Sequence, residues 1–199
     1  MKRTALLVLL AAGAIAAWSQ GKVFVDSVDV AVSNDFPLGV YQDKSKWNLG
    51  YSARLNLGFD SQENLRAFFE LDNNYWRATP GWISSGTQID GIVGLGYSIE
   101  LPSIKGLGTI SLGGRVGYGA MVHMVTADTT GTGNASFTFY DQAFLTELEA
   151  NLDVADGPWG LTLVPRYFYS PENNNQQKQQ LGILVGLRLR MQPGSGKGE

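Results

Sequence analysis

The sequence predicts an all-β protein, an eight-stranded antiparallel up-and-down transmembrane β-barrel, on three observations. Apolar and polar residues alternate over long stretches, the connections between those stretches alternate in length, and the chain opens on an export signal. The alternation is clearest over residues 47–60. Trp47, Leu49, Tyr51, Ala53, Leu55, Leu57 and Phe59 hold the odd positions; Asn48, Gly50, Ser52, Arg54, Asn56, Gly58 and Asp60 hold the even ones. An extended strand points successive side chains to opposite faces, so one face is apolar and the other wet. The run exceeds a typical strand of about 5–6 residues and suits the ~9–11 that cross a bilayer at a tilt.

Residues 1–19 read as a secretory signal peptide. Lys2 and Arg3 supply its positive start, residues 4–18 its apolar run, and Ala17 and Ser19 small residues for cleavage. Residues 20–191 are then the barrel, and the Gly-rich residues 192–199 a flexible tail. Lys and Arg total 15 against 18 Asp and Glu, and removing Lys2 and Arg3 deepens the acid excess. That balance gives no support for nucleic-acid binding, which wants a basic face. Without cysteine, no disulfide stabilises the exported chain; a closed hydrogen-bonded barrel in lipid does. The mean hydropathy of −0.07 is what strands half in lipid and half in water average to.

The elements follow in order. Strand one, about residues 22–33, sets Phe24, Val28, Val30 and Val32 on one face. Asp26 shares that face, which puts it at the rim or starts the pairing after it. A polar loop, residues 34–46, precedes strand two, and residues 60–64 form a turn. Strand three sets Leu65, Ala67, Phe69, Leu71 and Tyr75 against Arg66, Phe68, Glu70 and Asp72, with Asn73 a polar blemish on the apolar side. After a long loop, residues 77–89, strand four turns Val93, Leu95, Tyr97 and Ile99 outward and Asp90, Gly94, Gly96, Ser98 and Glu100 inward. A short connection, residues 101–108, leads to strand five. There Ile110, Leu112, Val116, Tyr118, Val122 and Met124 face out, and Ser111, Arg115 and His123 face in. The loop of residues 126–142 is followed by strand six, which opposes Phe144, Thr146, Leu148, Ala150, Leu152 and Val154 to Glu147, Glu149, Asn151 and Asp153. A tight turn, residues 156–158, gives strand seven: Trp159, Leu161, Leu163, Pro165, Tyr167 and Tyr169 outward, Thr162, Arg166 and Ser170 inward. Pro165 cannot donate to a ladder and predicts a bulge. An Asn- and Gln-rich loop, residues 171–180, precedes strand eight. It sends Leu181, Ile183, Val185, Leu187, Leu189 and Met191 outward and Gly182, Gly186, Arg188 and Arg190 inward.

The connections run long, short, long, short, long, short, long, and an even strand count leaves both termini on one side. Short periplasmic turns and long external loops mark outer-membrane barrels. A soluble barrel would be apolar inside and polar outside. Here the charged residues share a face, and that face suits the narrow interior of an eight-stranded barrel.

On this pattern of strands, loop order and leader, residues 23–191 resemble the small eight-stranded outer-membrane barrels of the OmpA, OmpX and OmpW type. The resemblance implies a bacterial outer membrane, its lipid as a partner, and both termini in the periplasm. The chain departs from that class at its end. Members usually finish on an aromatic residue, whereas here the last strand closes on Leu187, Arg188, Leu189, Arg190 and Met191, with more residues after it.

The inward face carries Arg54, Arg66, Arg115, Arg166, Arg188 and Arg190 against Glu70, Asp72, Asp90, Glu100, Glu147, Glu149 and Asp153. The two sets nearly cancel. Unpaired charges inside a narrow barrel cost several kcal/mol each, so an ion-pair network that fills the lumen is expected. Aromatic residues predict two interfacial girdles, with Trp47, Tyr75, Trp76, Tyr167 and Tyr169 toward the outside and Phe59, Tyr97 and Trp159 toward the periplasm. Phe137, Phe139 and Tyr140 form a candidate external binding patch. His123, the only histidine, has no serine within three residues, and no catalytic residue, metal site or cofactor is expected. The predicted function is structural or surface-binding, carried by external loops of a monomer toward an unknown extracellular ligand or surface. A narrow channel for small or hydrophobic solutes and an outer-membrane lipid hydrolase are the alternatives.

Overall fold

A computed structural model describes residues 23–38, 45–59, 62–78, 83–129, 133–155, 157–173 and 176–191. The leader and the tail read from the sequence lie outside the described residues. Eight strands follow one another: β1 (Val23–Leu38), β2 (Ser45–Phe59), β3 (Gln62–Ala78), β4 (Ile83–Glu100), β5 (Gly108–Thr129), β6 (Gly133–Val154), β7 (Trp159–Asn173) and β8 (Gln176–Arg190). Each pairs antiparallel with its neighbours in sequence, and β1 pairs with β8 to close the ring. Val23 and Arg190 therefore stand at the same end, here the terminal end; the opposite end is distal.

The alternation dictates which way the sheet curls. Apolar side chains stand on the outside, where Val116 is 61 % exposed and Leu148 66 %, while Arg166 inside is 2 % exposed. Water-soluble domains almost never bury Lys, Glu, Arg or Asp without partners. This inverted surface suits hydrocarbon, and a closed ring also leaves no backbone edge unpaired at membrane depth.

The strands outrun their sequence signal at the distal end. β1 continues through Pro37 to Leu38, and the stretches read as the second, third and fourth long loops are largely ladder. Both faces of a strand that has risen past the apolar belt meet water, so the alternation that marks a half-buried strand fades there although the pairing goes on. Two local readings also need correction. Pairing begins at Val23, and a bulge between Val25 and Ser27 turns both Asp26 and Ser27 inward. That extra residue resets the parity, so Val28, Val30 and Val32 face out although Asp26 does not. No register shift occurs at Pro165. The β6–β7 ladder breaks between Glu147↔Arg166 and Ala150↔Leu163 and resumes in the same register.

Candidate functional site: the lumen and the distal hairpin

Period-2 alternation sends every second side chain to the lumen, and the charged ones meet in tiers. At the terminal end Arg66 and Arg188 share Asp26, each at 3.1 Å. Arg188 also lies 3.8 Å from Asp29, and Arg190 lies 3.1 Å from Asp153 and 3.7 Å from Glu100 at the rim. Deeper, Arg54 donates to both oxygens of Glu147 at 2.7 and 2.6 Å and pairs with Glu70. Arg115 pairs with Glu149. Arg166 donates to Asp35 at 3.0 and 2.8 Å, to Asp72 at 2.8 Å and to Glu70 at 3.2 Å. Asp90 accepts from the Gln88 amide at 2.7 Å, and Gln88 accepts from Gln180 at 3.2 Å. Glu70 thus joins arginines of β2 and β7 across the lumen.

The charges do not cancel as the sequence suggested. Asp26, Asp29, Asp35 and Asp141 are also enclosed, so carboxylates outnumber arginines. Asp26 was disguised by the bulge, while Asp35 and Asp141 fell in stretches read as loop. Asp29, between Val28 and Val30, carried a legible inward signal.

Part of the interior is not polar at all. Phe68, Ile92, Met121, Ala143, Leu145 and Phe168, from five consecutive strands, form one buried apolar cluster; Ala31, Val164 and Leu184 form another. Guanidinium groups lie over the rings, with Arg54 and Arg115 each 5.5 Å from the centre of Phe68 and Arg166 4.7 Å from that of Phe168. Gly94 and Gly117 leave the space into which Phe68 extends, since a Cβ on Gly94 would stand 2.6 Å from its ring. Sequence reasoning placed only Phe68 inside. The available signal was the broken alternation at Ile92-Val93, Phe144-Leu145 and Ile183-Leu184-Val185, where apolar residues occupy both faces.

On the outside, Phe59, Tyr75, Tyr97, Trp159, Tyr167 and Tyr169 stand among the apolar rows. Tyr118, Phe144 and Tyr169 form a strip with ring centres 5.1 and 6.3 Å apart. Asn73 donates to the Tyr51 hydroxyl at 2.9 Å, which supplies the blemish in the apolar row with a partner. Trp76 does not belong to a girdle. It is 3 % exposed inside the barrel, over Gly86, whose missing side chain leaves room for the indole. The Trp47 side chain lies outside the described residues.

The expected patch is divided between two faces. Phe137 and Phe139 stack at 6.5 Å and 14° on the lumen-side face of β6, and Tyr140 stands on the other. Nearby, His123 is 2 % exposed and 3.4 Å from Asp141, too enclosed to meet a substrate. Among the described residues no group of three or more His, Cys, Asp or Glu is arranged to hold a metal ion.

A closed ring of eight antiparallel strands with an apolar outer face is the fold of the small outer-membrane β-barrels. Among solved structures, Neisserial surface protein A is similar with a TM-score of 0.56 at 13% identity, over 85% of this chain and 99% of that one. Ail, the attachment invasion locus protein of Yersinia pestis, in complex with the heparin analogue sucrose octasulfate, gives 0.50 at 15% identity, over 84% and 99%. At these identities the likeness is one of fold. No protein-family model matches the chain, and neither does any curated protein.

Proposed function

We propose that the protein is a monomeric, plugged barrel of a bacterial outer membrane that acts by displaying its distal hairpins as a binding surface outside the cell. In this reading residues 1–19 are removed on export, both termini lie in the periplasm, outer-membrane lipid surrounds the apolar rows, and the protein is not an enzyme. The observation that carries it is the network crossing the lumen, where Arg54 and Arg166 tie five strands together beside a packed apolar cluster. In this reading the lumen passes no solute, and the surface left to act is the distal one. It is uneven, because β5 and β6 are 22 residues long whereas β7 and β8 are 15 each. Ail, named for attachment, offers a precedent on the same fold.

Two measurements test it together. Barrels reconstituted in planar bilayers are expected to give no steady openings. Proteoliposomes bearing them should be retained on surfaces coated with soluble proteins or sulfated polysaccharide, and should lose that retention when protease trims the distal hairpins. Steady openings without retention would replace this reading with the narrow channel.

A further inference from the structure

The β4–β5 connection at the terminal end, residues 101–107, reads Leu-Pro-Ser-Ile-Lys-Gly-Leu. Leu101 is 37 % exposed, Ile104 48 % and Leu107 45 %. The β6–β7 connection at the same end, residues 155–158, reads Ala-Asp-Gly-Pro and offers no large aliphatic side chain. Backbone bonds hold the longer turn in place. Leu101 N–H donates to the Ile110 carbonyl and Ile104 N–H to that of Gly108, each at 2.8 Å, and the N–H groups of Leu107 and Gly108 both donate back to Ile104 at 3.0 Å. The hydroxyls of Ser103 and Thr109 share a hydrogen bond at 2.9 Å. Gly106 takes a φ of 79°, which a side chain would strain, and a Cβ on Gly108 would run into the Asp153 carbonyl of β6. Ala155 N–H donates to Leu107 at 3.3 Å and ties the turn to the next connection. A turn pinned at so many points cannot tuck its aliphatic side chains away.

Single exposed aliphatics are ordinary, but several on one fixed turn mark a contact surface. Its position says what covers it. Val93, Leu95, Tyr97 and Ile99 are the outward row of β4, and Leu101, still bonded to β5, extends that row by one step. Val154 and Trp159, beside the neighbouring connection, are exposed as well. The turn therefore prolongs the lipid-facing surface beyond Tyr97 and Trp159, whose rings suit the headgroup level. Its one charge is the cation Lys105, exposed like the rest of the turn. A lysine at such a level lays its stem on apolar surface and keeps its ammonium among polar headgroups.

We propose that the β4–β5 turn is seated in the headgroup region of the periplasmic leaflet, with Leu101, Ile104 and Leu107 at the acyl boundary and Lys105 on a phospholipid phosphate. It acts as an anchor on one side of the barrel that sets how deep the barrel sits. The inference rests on the membrane reading above and adds a specified lipid contact to it. A docked periplasmic protein fits less well, because the patch has no border of its own and runs straight into the lipid-facing rows.

The chain has no cysteine, so single nitroxide labels can be placed on the whole barrel in nanodiscs that contain anionic phospholipid. Ile104→Cys and Leu107→Cys report on the turn, Leu148→Cys on the lipid-facing row of β6, and Gly157→Cys on the β6–β7 connection. Each labelled barrel is first shown to be folded by its heat-modifiable gel migration. Collisions with a water-soluble nickel chelate are then compared with collisions with oxygen dissolved in lipid. Labels at 104 and 107 should meet nickel at least about fivefold less often than the label at 157, as expected of apolar groups set ~5–10 Å into the interface. Lys105→Glu, which turns attraction to anionic headgroups into repulsion, should raise nickel collisions at 104 about threefold or more. Nickel collisions at 104 and 107 equal to those at 157 overturn the proposal but leave the membrane reading, provided that the label at 148 stays in lipid. Nickel access at 148 sinks both. Protection at 104 that appears only when periplasmic proteins are added also overturns it, in favour of a docked protein. An unchanged rate in Lys105→Glu overturns the phosphate contact.

Discussion

Arg166 grips Asp35 through two side-by-side hydrogen bonds, Nε to Oδ1 at 3.0 Å and a terminal nitrogen to Oδ2 at 2.8 Å, and so fastens β7 to β1 across β8. Gly182 of β8 is the rung between them, and a Cβ there would run into the Asp35 carboxylate and stand 3.0 Å from Arg166 Cγ. The glycine is what lets the pair lie flat over the strand.

Arg166→Met leaves Asp35, Asp72 and Glu70 without their shared cation. Removing one partner from a buried pair costs about 3–5 kcal/mol. Gly182→Ala should cost less, about 1–3 kcal/mol, by wedging the pair apart. Urea unfolding in lipid vesicles measures both, and equal stability of Arg166→Met and wild type would refute the network's structural weight.

Trp76 and Trp159 should report opposite surroundings. With the other tryptophans replaced by phenylalanine, brominated lipid should quench a barrel that keeps Trp159 and spare one that keeps Trp76. The reverse pattern would return Trp76 to the girdle.

Tyr51 and Asn73 form a polar pair on the outer face. Tyr51→Phe strands the Asn73 amide and should cost about 1–3 kcal/mol, whereas Asn73→Leu with Tyr51→Phe should recover most of it, because removing both partners is nearly neutral. A double variant as unstable as the single one would contradict the pairing.

Aromatic rings and ion pairs share the lumen. Phe68→Ala with Phe168→Ala removes two rings that hold guanidinium groups in position and should cost about 3–5 kcal/mol per ring. Steady openings in a planar bilayer are expected from that variant, while Glu147→Gln, which removes charge without volume, stays silent. Openings from the latter alone would make the ion pairs the whole barrier.

Much of the fold was legible because lipid outside and charge inside impose a period of 2, and Trp47 to Phe59 displays it without interruption. The number and order of strands, and the inward parity of Arg54, Glu70, Arg115 and Arg166, follow from it. What escaped were features the period does not encode. The bulge at Asp26 changes parity by one residue, the distal ladders continue where both faces are wet, and Leu145 or Leu184 on an inner face looks like any other apolar residue until the opposite wall is known. Trp76 shares the inward parity of Glu70 and Asp72 and was misassigned on bulk, since its room comes from Gly86, ten residues away and adjacent only through the β3–β4 register.

The ring is closed by Ser27↔Arg190 and the rungs above it, and Asp26 meets Arg188 across 162 residues of sequence. Of the strands, β1 is synthesised first and β8 last. Until the last one arrives, the edge of β1 away from β2 has nothing to zip against, and pairings this far apart along the chain form slowly. A truncation that removes β8 would therefore not leave a slightly smaller barrel but a sheet that cannot shut, so export must keep the chain from clumping until that strand is made.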